Sequence, residues 1–472
     1  MIYVDKKSKV PLYLQVYDQI KTSIVDGIMR KGAKLPATRT LASQLSVSRN
    51  TVESAYQLLV TENYITGRIG SGFTVSDIDN KIFVKKQGEG QPGPVGNHGA
   101  AVEPNKDVIT IDFNFSNIDN DLFPYNKWKN CYMKVLNSVK SLKLTTYNET
   151  QGELILRKEL KTYLHRLRGI DCDLSQIVVC CGFTFSVEKI FKLLPRSVNT
   201  IAIENPGSDL ARTTFSKLGL NFEYVNVFPK NTNFVEDVRR TNADVVYITP
   251  SHQCPLGTTM PVEMRHELLE WAYERGAYIL EDDYDYEFNY NTNPVPSLQS
   301  LDKHERVIYV GSFSKVFSPS LRTNYLVMPD HLIETYYEVY RGVQAASPWL
   351  QQETLALFMQ EGQLERHIRK SFKIYKERRD LVVKLISSMF GKKIEVIGSK
   401  NGTYFILRVK IGMTQDELIE RARKKGVRIY STYQFWANRD EAPSDAVLIG
   451  FGMLDSDNIT KGFLLLKEAW LG

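Results

Sequence analysis

The chain has 472 residues, of which 43% are hydrophobic and 24% are charged. This composition is typical of a packed globular protein and excludes a disordered or collagen-like chain, and the length predicts more than one domain. The formal net charge of +6 is unevenly spread, because residues 1–76 carry ten Lys/Arg and five Asp/Glu whereas the remaining residues carry 50 and 49. The excess positive charge is therefore placed where it can meet phosphate.

The sequence contains no run that approaches the roughly 20 consecutive apolar residues of a membrane-spanning helix. Residues 1–11 are charged where a signal peptide would be apolar. We therefore expect a cytoplasmic protein with no membrane partner. The five cysteines include no C-x-x-C pair, so we expect reduced thiols, without a disulfide framework or a metal site.

The first predicted elements are three helices. Apolar residues at helical spacing predict a helix over Leu12–Val25, and a second, shorter apolar pattern marks a helix around 41–45. Ser48 suits an N-cap, so a third helix is predicted to begin at Arg49. A tight turn at 46–48 separates the second and third helices.

A β-hairpin is predicted next, with strands at 64–66 and 73–75 and a glycine-rich, basic tip between them. Helix, helix, turn, helix and hairpin together predict a winged helix-turn-helix. The order of several short segments over about 65 residues resembles the GntR-type repressor domain; these segments are Pro11–Gln15, Lys34–Pro36, Val47–Val52 and Gly70–Gly72.

Such a domain is expected to bind a double-stranded DNA operator. The N-terminal residues of a recognition helix approach base edges and phosphates. We predict Arg49 as the main contact and Arg68, on the wing, as a contact to a phosphate or the minor groove. The full predicted set is Arg39, Ser48, Arg49, Asn50, Thr51, Arg68, Gly70 and Ser71. The simpler interpretation of Ser48, Arg49 and Thr51 is a helix cap and a solvated first turn.

Residues 77–107 are rich in Gly and Pro and lack any apolar period, which predicts a flexible linker between a DNA-binding domain at 1–76 and a second domain at 108–472. Seven apolar runs beyond the linker alternate with helical stretches, which predicts a largely parallel α/β sheet covered on both faces. They lie at 177–180, 200–203, 222–227, 245–248, 277–280, 307–310 and 325–328. The large part is expected over about 108–340, and a smaller α+β part over about 341–472.

Residues that could bind or react with a ligand follow the strand at 307–310. Lys315 lies just beyond it, with Ser312 and Ser314 before it and Arg322 seven residues after it. A lysine in this setting can hold an aldehyde as a Schiff base while the hydroxyls and the arginine bind a phosphate on the same ligand. This pattern is typical of a site for pyridoxal 5'-phosphate (PLP).

Two other strand ends complete the pattern. Asp282 and Tyr284 follow the strand at 277–280, where a carboxylate can pair with a pyridinium nitrogen and a phenol can reach the ring oxygen. Gly182, Phe183 and Thr184 open a helix after the strand at 177–180, and the free amides of a helix start can cradle a phosphate. Each residue alone would more often be an ordinary surface or core residue, but their conjunction in this order favours a cofactor site.

These residues resemble those of fold-type I aminotransferases. Joined to the GntR-like domain, they make the whole chain similar to the MocR/GabR family of transcriptional regulators. Further matches are Leu122–Pro124 with Trp128, Glu204–Gly207 and Thr249–Gln253.

The resemblance implies a role for each matching residue. Lys315 would form the Schiff base, Asp282 would bind the pyridine nitrogen and Tyr284 the O3' oxygen. The phosphate would be held by Ser312, Ser314, Arg322, Gly182, Phe183 and Thr184. Tyr147 would reach the phosphate from the neighbouring subunit, which implies a homodimer with sites at the interface. His252 is as easily a structural histidine as a ligand contact.

Two positions depart from the family pattern. Ser208 stands where the family usually has an aromatic residue that stacks on the cofactor ring. Leu448 stands where aminotransferases place the arginine that grips the substrate carboxylate, so an ordinary amino-acid substrate is disfavoured. Arg212 is a candidate substitute for that arginine.

Three hypotheses follow. The first is a transcriptional regulator that binds operator DNA through its N-terminal domain and senses PLP or an amino compound without turning it over. The second is an active PLP-dependent aminotransferase with an appended DNA-binding module. The third is an interaction protein whose PLP site is vestigial, and absorbance on titration with PLP separates it from the other two.

Overall fold

The computed structural model of the chain describes residues 2–5, 8, 10–68, 72–76, 109–138, 145–227, 233–290 and 295–472. The chain divides into two units, Met1–Glu103 and Pro104–Gly472. The predicted linker at 77–107 lies outside the described residues, and the predicted division into 1–76, 77–107 and 108–472 stays a prediction.

The first unit is a winged helix-turn-helix, as the sequence predicts. Its helices are α1 (Leu12–Val25), α2 (Thr38–Leu45) and α3 (Arg49–Thr61), and its antiparallel hairpin consists of β1 (Ile65–Arg68) and β2 (Gly72–Val75). Both strands extend further toward the hairpin tip than the sequence pattern indicates. The apolar faces of the three helices meet the hairpin in one core, where Val16, Val52 and Tyr56 are fully buried.

The second unit alternates strands and helices. Its strands are β3 (Ile111–Asp112), β4 (Ile177–Cys180), β5 (Thr200–Asn205), β6 (Asn221–Asn226), β7 (Val245–Ile248), β8 (Tyr278–Asp283), β9 (Val307–Ser312), β10 (Asn324–Val327), β11 (Ile394–Ile397), β12 (Tyr404–Val409), β13 (Val427–Arg428), β14 (Tyr430–Ser431) and β15 (Ala446–Gly450). Its helices are α4 (Tyr125–Ser138), α5 (Leu154–Arg168), α6 (Phe183–Leu193), α7 (Asp209–Lys217), α8 (Phe234–Arg239), α9 (Val262–Arg275), α10 (Leu298–Leu301), α11 (Ile333–Val339), α12 (Trp349–Gln360), α13 (Gln363–Phe390), α14 (Gln415–Lys424) and α15 (Ser456–Leu471).

The main sheet contains the seven predicted strands in the order β4-β10-β9-β8-β7-β5-β6. All neighbouring pairs are parallel except those of β10, which runs antiparallel to both β4 and β9. Strands β4, β7, β8, β9 and β10 are buried throughout. Helices cover both faces of a parallel sheet, and this burial explains why the sequences of these strands contain continuous apolar runs.

A smaller sheet has the order β11-β12-β15-β14. One of its faces packs on α13, α14 and α15 in a core that also contains Ile111 and Phe113. Strand β3, which carries Ile111, pairs in parallel with β13. The small part is therefore built from both ends of the unit, and helix α12 packs instead in the core of the large part.

Two further observations bear on the expectations from composition. In the described ranges of the chain, no helix combines the length and the apolar character that crossing a membrane requires. Each of the five cysteines is a free thiol.

Glu204, at the end of β5, ties that strand to the turn after β7. Its carboxyl Oε2 accepts hydrogen bonds from the hydroxyl of Thr249 at 2.7 Å and from the amide of the same residue at 3.3 Å. The side chain is 3% exposed. Burial raises the pKa of Glu204 to about 8, although the bonds from Thr249 act in the opposite direction.

We predict that Glu204 makes the second unit less stable as the pH rises. Between pH 4.5, the ordinary pKa, and pH 8, the folded chain holds a proton that the unfolded chain releases, so ionisation favours unfolding. Ionisation of Glu204 should lower the free energy of unfolding of the parent by up to about 1.4 kcal/mol for each pH unit of increase over this range. Glu204→Gln should remove this contribution.

Urea unfolding at pH 5 and pH 8 measures this effect. Tryptophan fluorescence reports on the second unit alone, because all five tryptophans lie in it. Glu267→Gln, which alters an exposed residue of α9, is the matched control. The same pH dependence in the parent and in Glu204→Gln would contradict the prediction.

Candidate functional site

Lys315 lies at the carboxyl edge of the main sheet, three residues beyond β9. The Ser314 amide donates to the Ser312 hydroxyl at 3.1 Å, which turns the chain at the strand end. The half-buried lysine donates from Nζ to the carbonyl oxygens of Phe115 at 2.8 Å and Ser116 at 2.9 Å. Burial lowers the pKa of Lys315, against the opposing charge of Asp285. A larger fraction of the amine is therefore neutral, which is the nucleophilic form.

Asp282 lies on the neighbouring strand, at the same edge. Its Oδ2 accepts a hydrogen bond from the phenol of Tyr247 on β7 at 2.7 Å. The side chain is buried, and burial raises the pKa of Asp282 to about 7. A cationic nitrogen beside this carboxyl would favour its ionised form, because an opposite charge offsets the cost of desolvation.

Tyr284 and His252 form a stack beside Asp282. The Tyr284 hydroxyl donates to the His252 carbonyl at 3.0 Å and lies 3.1 Å from the Tyr404 hydroxyl. The His252 ring lies nearly parallel to both tyrosine rings, and its Nδ1 is 2.6 Å from Asp285 Oδ2. His252 is 2% exposed and held by Asp285, and its buried Nε2 has no hydrogen-bond partner in the described part of the chain.

Gly182 and Arg322 meet at the start of α6. Gly182 is the N-cap with φ 82°, and a Cβ at this position would overlap the Arg322 guanidinium. Only glycine combines this backbone conformation with the close approach of the arginine. Phe183 and Thr184 begin the helix, whose first amides have no partner within the helix. An arginine and free amides at one point form a site suited to an anion such as phosphate.

Ser208 and Leu448, the two positions that depart from the family pattern, are both engaged in contacts within the protein. The Ser208 hydroxyl caps α7 by accepting from the Ala211 amide at 3.3 Å. Leu448 is fully buried in an apolar wall, which we define as Leu256, Tyr404, Ile406, Phe435, Ala446 and Leu448. The Arg212 guanidinium binds Asp209 Oδ1 at 3.0 Å and the Gln434 carbonyl. Arg212 is thus already engaged by protein groups.

The start of α3 carries the predicted DNA-contacting residues. Ser48 caps the helix by accepting from the Thr51 amide at 3.1 Å. Arg49 is exposed, with Nε 3.8 Å from Glu53, and Asn50 is also exposed. Arg39 is exposed on α2, and Arg68 ends β1. Gly70 and Ser71 lie outside the described residues.

Tyr147 is 88% exposed. Its phenol is thus turned to solvent and available to a second molecule.

Several residues of the site were not predicted from the sequence. They are Tyr247 beside Asp282, Asp285 beside His252, Tyr404 beside Tyr284, and the carbonyls of Phe115 and Ser116 at Lys315. Tyr247 could have been identified because it carries a polar group within the apolar strand β7. Asp285 could have been identified because it follows Tyr284 directly in the sequence. The other contacts join distant parts of the chain and leave no local signal.

Comparison with known families covers both units. Residues 12–75 match the family described as bacterial regulatory proteins, gntR family. Residues 111–440 match aminotransferase class I and II. The multiple substrate aminotransferase of Thermococcus profundus shares the fold of the second unit, with a TM-score of 0.70 and 23% identity over 84% of this chain and 98% of that chain.

Full-length relatives carry the same two parts. The uncharacterized HTH-type transcriptional regulator YdeL of Bacillus subtilis is 33% identical over 468 residues, 99% of this chain and 98% of the relative. The probable rhizopine catabolism regulatory protein MocR of Rhizobium meliloti is 28% identical over 478 residues, 100% of this chain and 96% of the relative. The chain therefore belongs to the MocR-type regulators, in which a GntR-type winged helix-turn-helix precedes a unit with the fold of fold-type I aminotransferases.

Proposed function

We propose that this protein is a transcriptional regulator that binds operator DNA through its winged helix-turn-helix and binds PLP in its aminotransferase-like unit. The observation that carries the proposal is that three groups lie at the same edge of the main sheet. These are the Lys315 amine, the Asp282 carboxyl and the pair formed by Gly182 and Arg322. An amine, a buried acid and an anion site match the aldehyde, the ring nitrogen and the phosphate of PLP.

Each of these groups fits one part of the cofactor. Lys315 would attach to the aldehyde, which in PLP bonds reversibly to amines. Asp282 would pair with the ring nitrogen, and the Tyr284 phenol would donate to the ring oxygen. The phosphate would lie against the anion site at the start of α6. The residues proposed to hold it are Gly182, Phe183, Thr184, Ser312, Ser314 and Arg322.

We predict that Lys315→Ala abolishes covalent attachment of PLP and any effect of PLP on DNA binding, while the winged helix-turn-helix stays folded. Borohydride reduction followed by peptide mapping measures the attachment site in the parent. Lys303→Ala, which alters an exposed lysine, is the control and should remain labelled. Labelling of a lysine other than Lys315 would overturn the assignment, and no visible absorbance in the PLP-treated parent would favour the vestigial-site hypothesis.

The apolar wall around Leu448 favours sensing over turnover. Aminotransferases place an arginine at this position, whereas here a fully buried leucine packs on Ile406 and Tyr404. A buried carboxylate without a charge partner costs several kcal/mol. We infer that the ligand is PLP itself or an amino compound without a carboxylate at this position.

We predict very slow or undetectable transamination of common amino acids with 2-oxoglutarate. The measurement is product formation by the PLP-loaded protein under excess substrate. Turnover at the roughly 1 to 1000 per second that is typical of enzymes would support the alternative, an active aminotransferase with an appended DNA-binding module.

We also propose that the protein acts as a homodimer. The exposed phenol of Tyr147 is consistent with a residue that completes the phosphate site of a neighbouring subunit. A homodimer presents two winged domains, so its operator should contain two repeated half-sites.

We predict that two chains bind each operator and that Arg49→Ala weakens this binding by about 1 to 3 kcal/mol if Arg49 contacts a base. Arg68→Ala should weaken binding to all DNA sequences alike and flatten the salt dependence, because phosphate contacts release counterions. Titration of operator and random DNA at two salt concentrations measures both effects.

Arg240→Ala is the matched control for Arg49→Ala, since Arg240 is an exposed arginine of the other unit that likewise lies near a glutamate four residues away, Glu236. Operator binding that is unchanged in both Arg49→Ala and Arg68→Ala would remove the proposed DNA-binding surface while leaving the PLP site intact.

A further inference from the structure

Arg168, the last residue of α5, joins segments that are far apart in the chain. Its Nε lies 2.8 Å from Asp283 Oδ2 in an ion pair that lacks hydrogen-bond geometry, and the two side chains are 5% and 0% exposed. Its Nη2 donates to the Ser251 hydroxyl at 3.1 Å, and its Nη1 donates to the Val295 carbonyl at 3.2 Å. One buried guanidinium thus fixes the end of β8, the turn after β7 and the chain that leads into α10.

Two of these segments, the end of β8 and the turn after β7, lead directly to residues of the proposed PLP site. Asp283 follows Asp282, and Ser251 precedes His252. Asp283 Oδ2 also accepts from the Tyr309 hydroxyl at 2.8 Å, and Tyr309 lies on β9, the strand that leads to Lys315. Arg168 itself is absent from the proposed ligand contacts, so it can influence the site only through its neighbours.

The geometry of a guanidinium suits this role. Its N–H groups point in fixed directions in one plane, so Ser251 and Val295, which accept hydrogen bonds from them, must keep fixed positions relative to each other. The charge of the guanidinium holds Asp283 beside them. Burial strengthens the constraint, because a buried charge that loses its partner is costly and the pair resists separation. The Arg168 guanidinium also lies 4.6 Å from the centroid of the Tyr286 ring, which restrains it further.

We propose that Arg168 is a positioning residue that sets the distance and orientation of Asp282 and His252 for PLP. The proposal rests on the proposed function, since it requires PLP to bind at this edge of the sheet. The competing explanation is a core ion pair that only stabilises the fold.

Arg157→Lys provides a matched control for Arg168→Lys. Arg157 lies on the same helix, is 9% exposed and donates to Gly152, Gln151, Leu174 and Glu149. None of these four partners lies in a segment that Arg168 joins. Lysine at position 168 keeps a positive charge near Asp283, but one ammonium cannot reproduce the directions of the two guanidinium hydrogen bonds to Ser251 and Val295.

The experiment titrates the full-length parent and both variants with PLP, recording affinity and the visible absorbance maximum of bound PLP, and measures thermal unfolding without PLP. We expect Arg168→Lys to weaken PLP binding by about 10- to 100-fold, the range known for metal sites that lose a hydrogen-bond partner of a metal ligand, and to shift the absorbance maximum. Arg157→Lys should retain the affinity and maximum of the parent even if its unfolding temperature falls.

Three results would overturn the proposal: parent-like PLP binding by Arg168→Lys, an equal loss of affinity in both variants, or a loss that follows only the fall in unfolding temperature. If Arg168→Lys does not fold, the double variant Arg168→Met with Asp283→Leu replaces the ion pair by apolar groups and is judged by the same criteria. A parent that binds no PLP refutes the proposed function itself, and this inference with it.

Discussion

The register of β8 against β9 is the constraint on which the proposed site depends. The two strands are parallel, with Asp282 opposite Val310 and Asp283 opposite Gly311. Parallel strands end at the same edge of a sheet, so the residues after β9 emerge beside the acids that end β8. A shift of one residue would turn the Asp282 side chain to the opposite face of the sheet.

The reversed strand β10 brings the anion site to the same edge. After Lys315 the chain turns and enters β10 antiparallel to β9, so Arg322, just before that strand, stays at the edge where β9 ended. Strand β4 is antiparallel to β10, with Cys180 opposite Asn324. Gly182 therefore follows β4 at the point where Arg322 precedes β10. Their contact is a consequence of strand order, although the two residues are distant in the sequence.

Desolvation acts on acids and base alike at this edge. Burial raises the pKa of Asp282 to about 7 and that of Glu204 to about 8, and it lowers the pKa of Lys315. Each shift favours the neutral form of its group. A ligand that carries positive and negative groups would favour the charged forms of these residues, because an opposite charge offsets the cost of desolvation.

Features confined to one segment of the chain were accessible from the sequence. The seven strands, the cap at Ser48 and the groups at Lys315, Asp282 and Gly182 each follow from a local pattern, an apolar run followed by polar residues. The surroundings of Lys315, Leu448 and Arg168 were not accessible in this way. The surroundings of Lys315 and Leu448 depend on the packing of the small part on the large part, as in the contact of Lys315 with Phe115. Those of Arg168 depend on contacts between distant segments of the large part.

The hydrogen bonds of Lys315 have a consequence for how affinity at this site should be understood. Its Nζ donates to the carbonyls of Phe115 and Ser116, and the nitrogen could not keep both bonds while attached to an aldehyde carbon. These two carbonyl groups would therefore compete with the proposed ligand for Lys315. A measured binding free energy would be the difference between the contacts that Lys315 makes with the ligand and those that it makes with the two carbonyls. A substitution that only displaces the backbone at 115–116 would therefore change the ligand affinity without contacting the ligand.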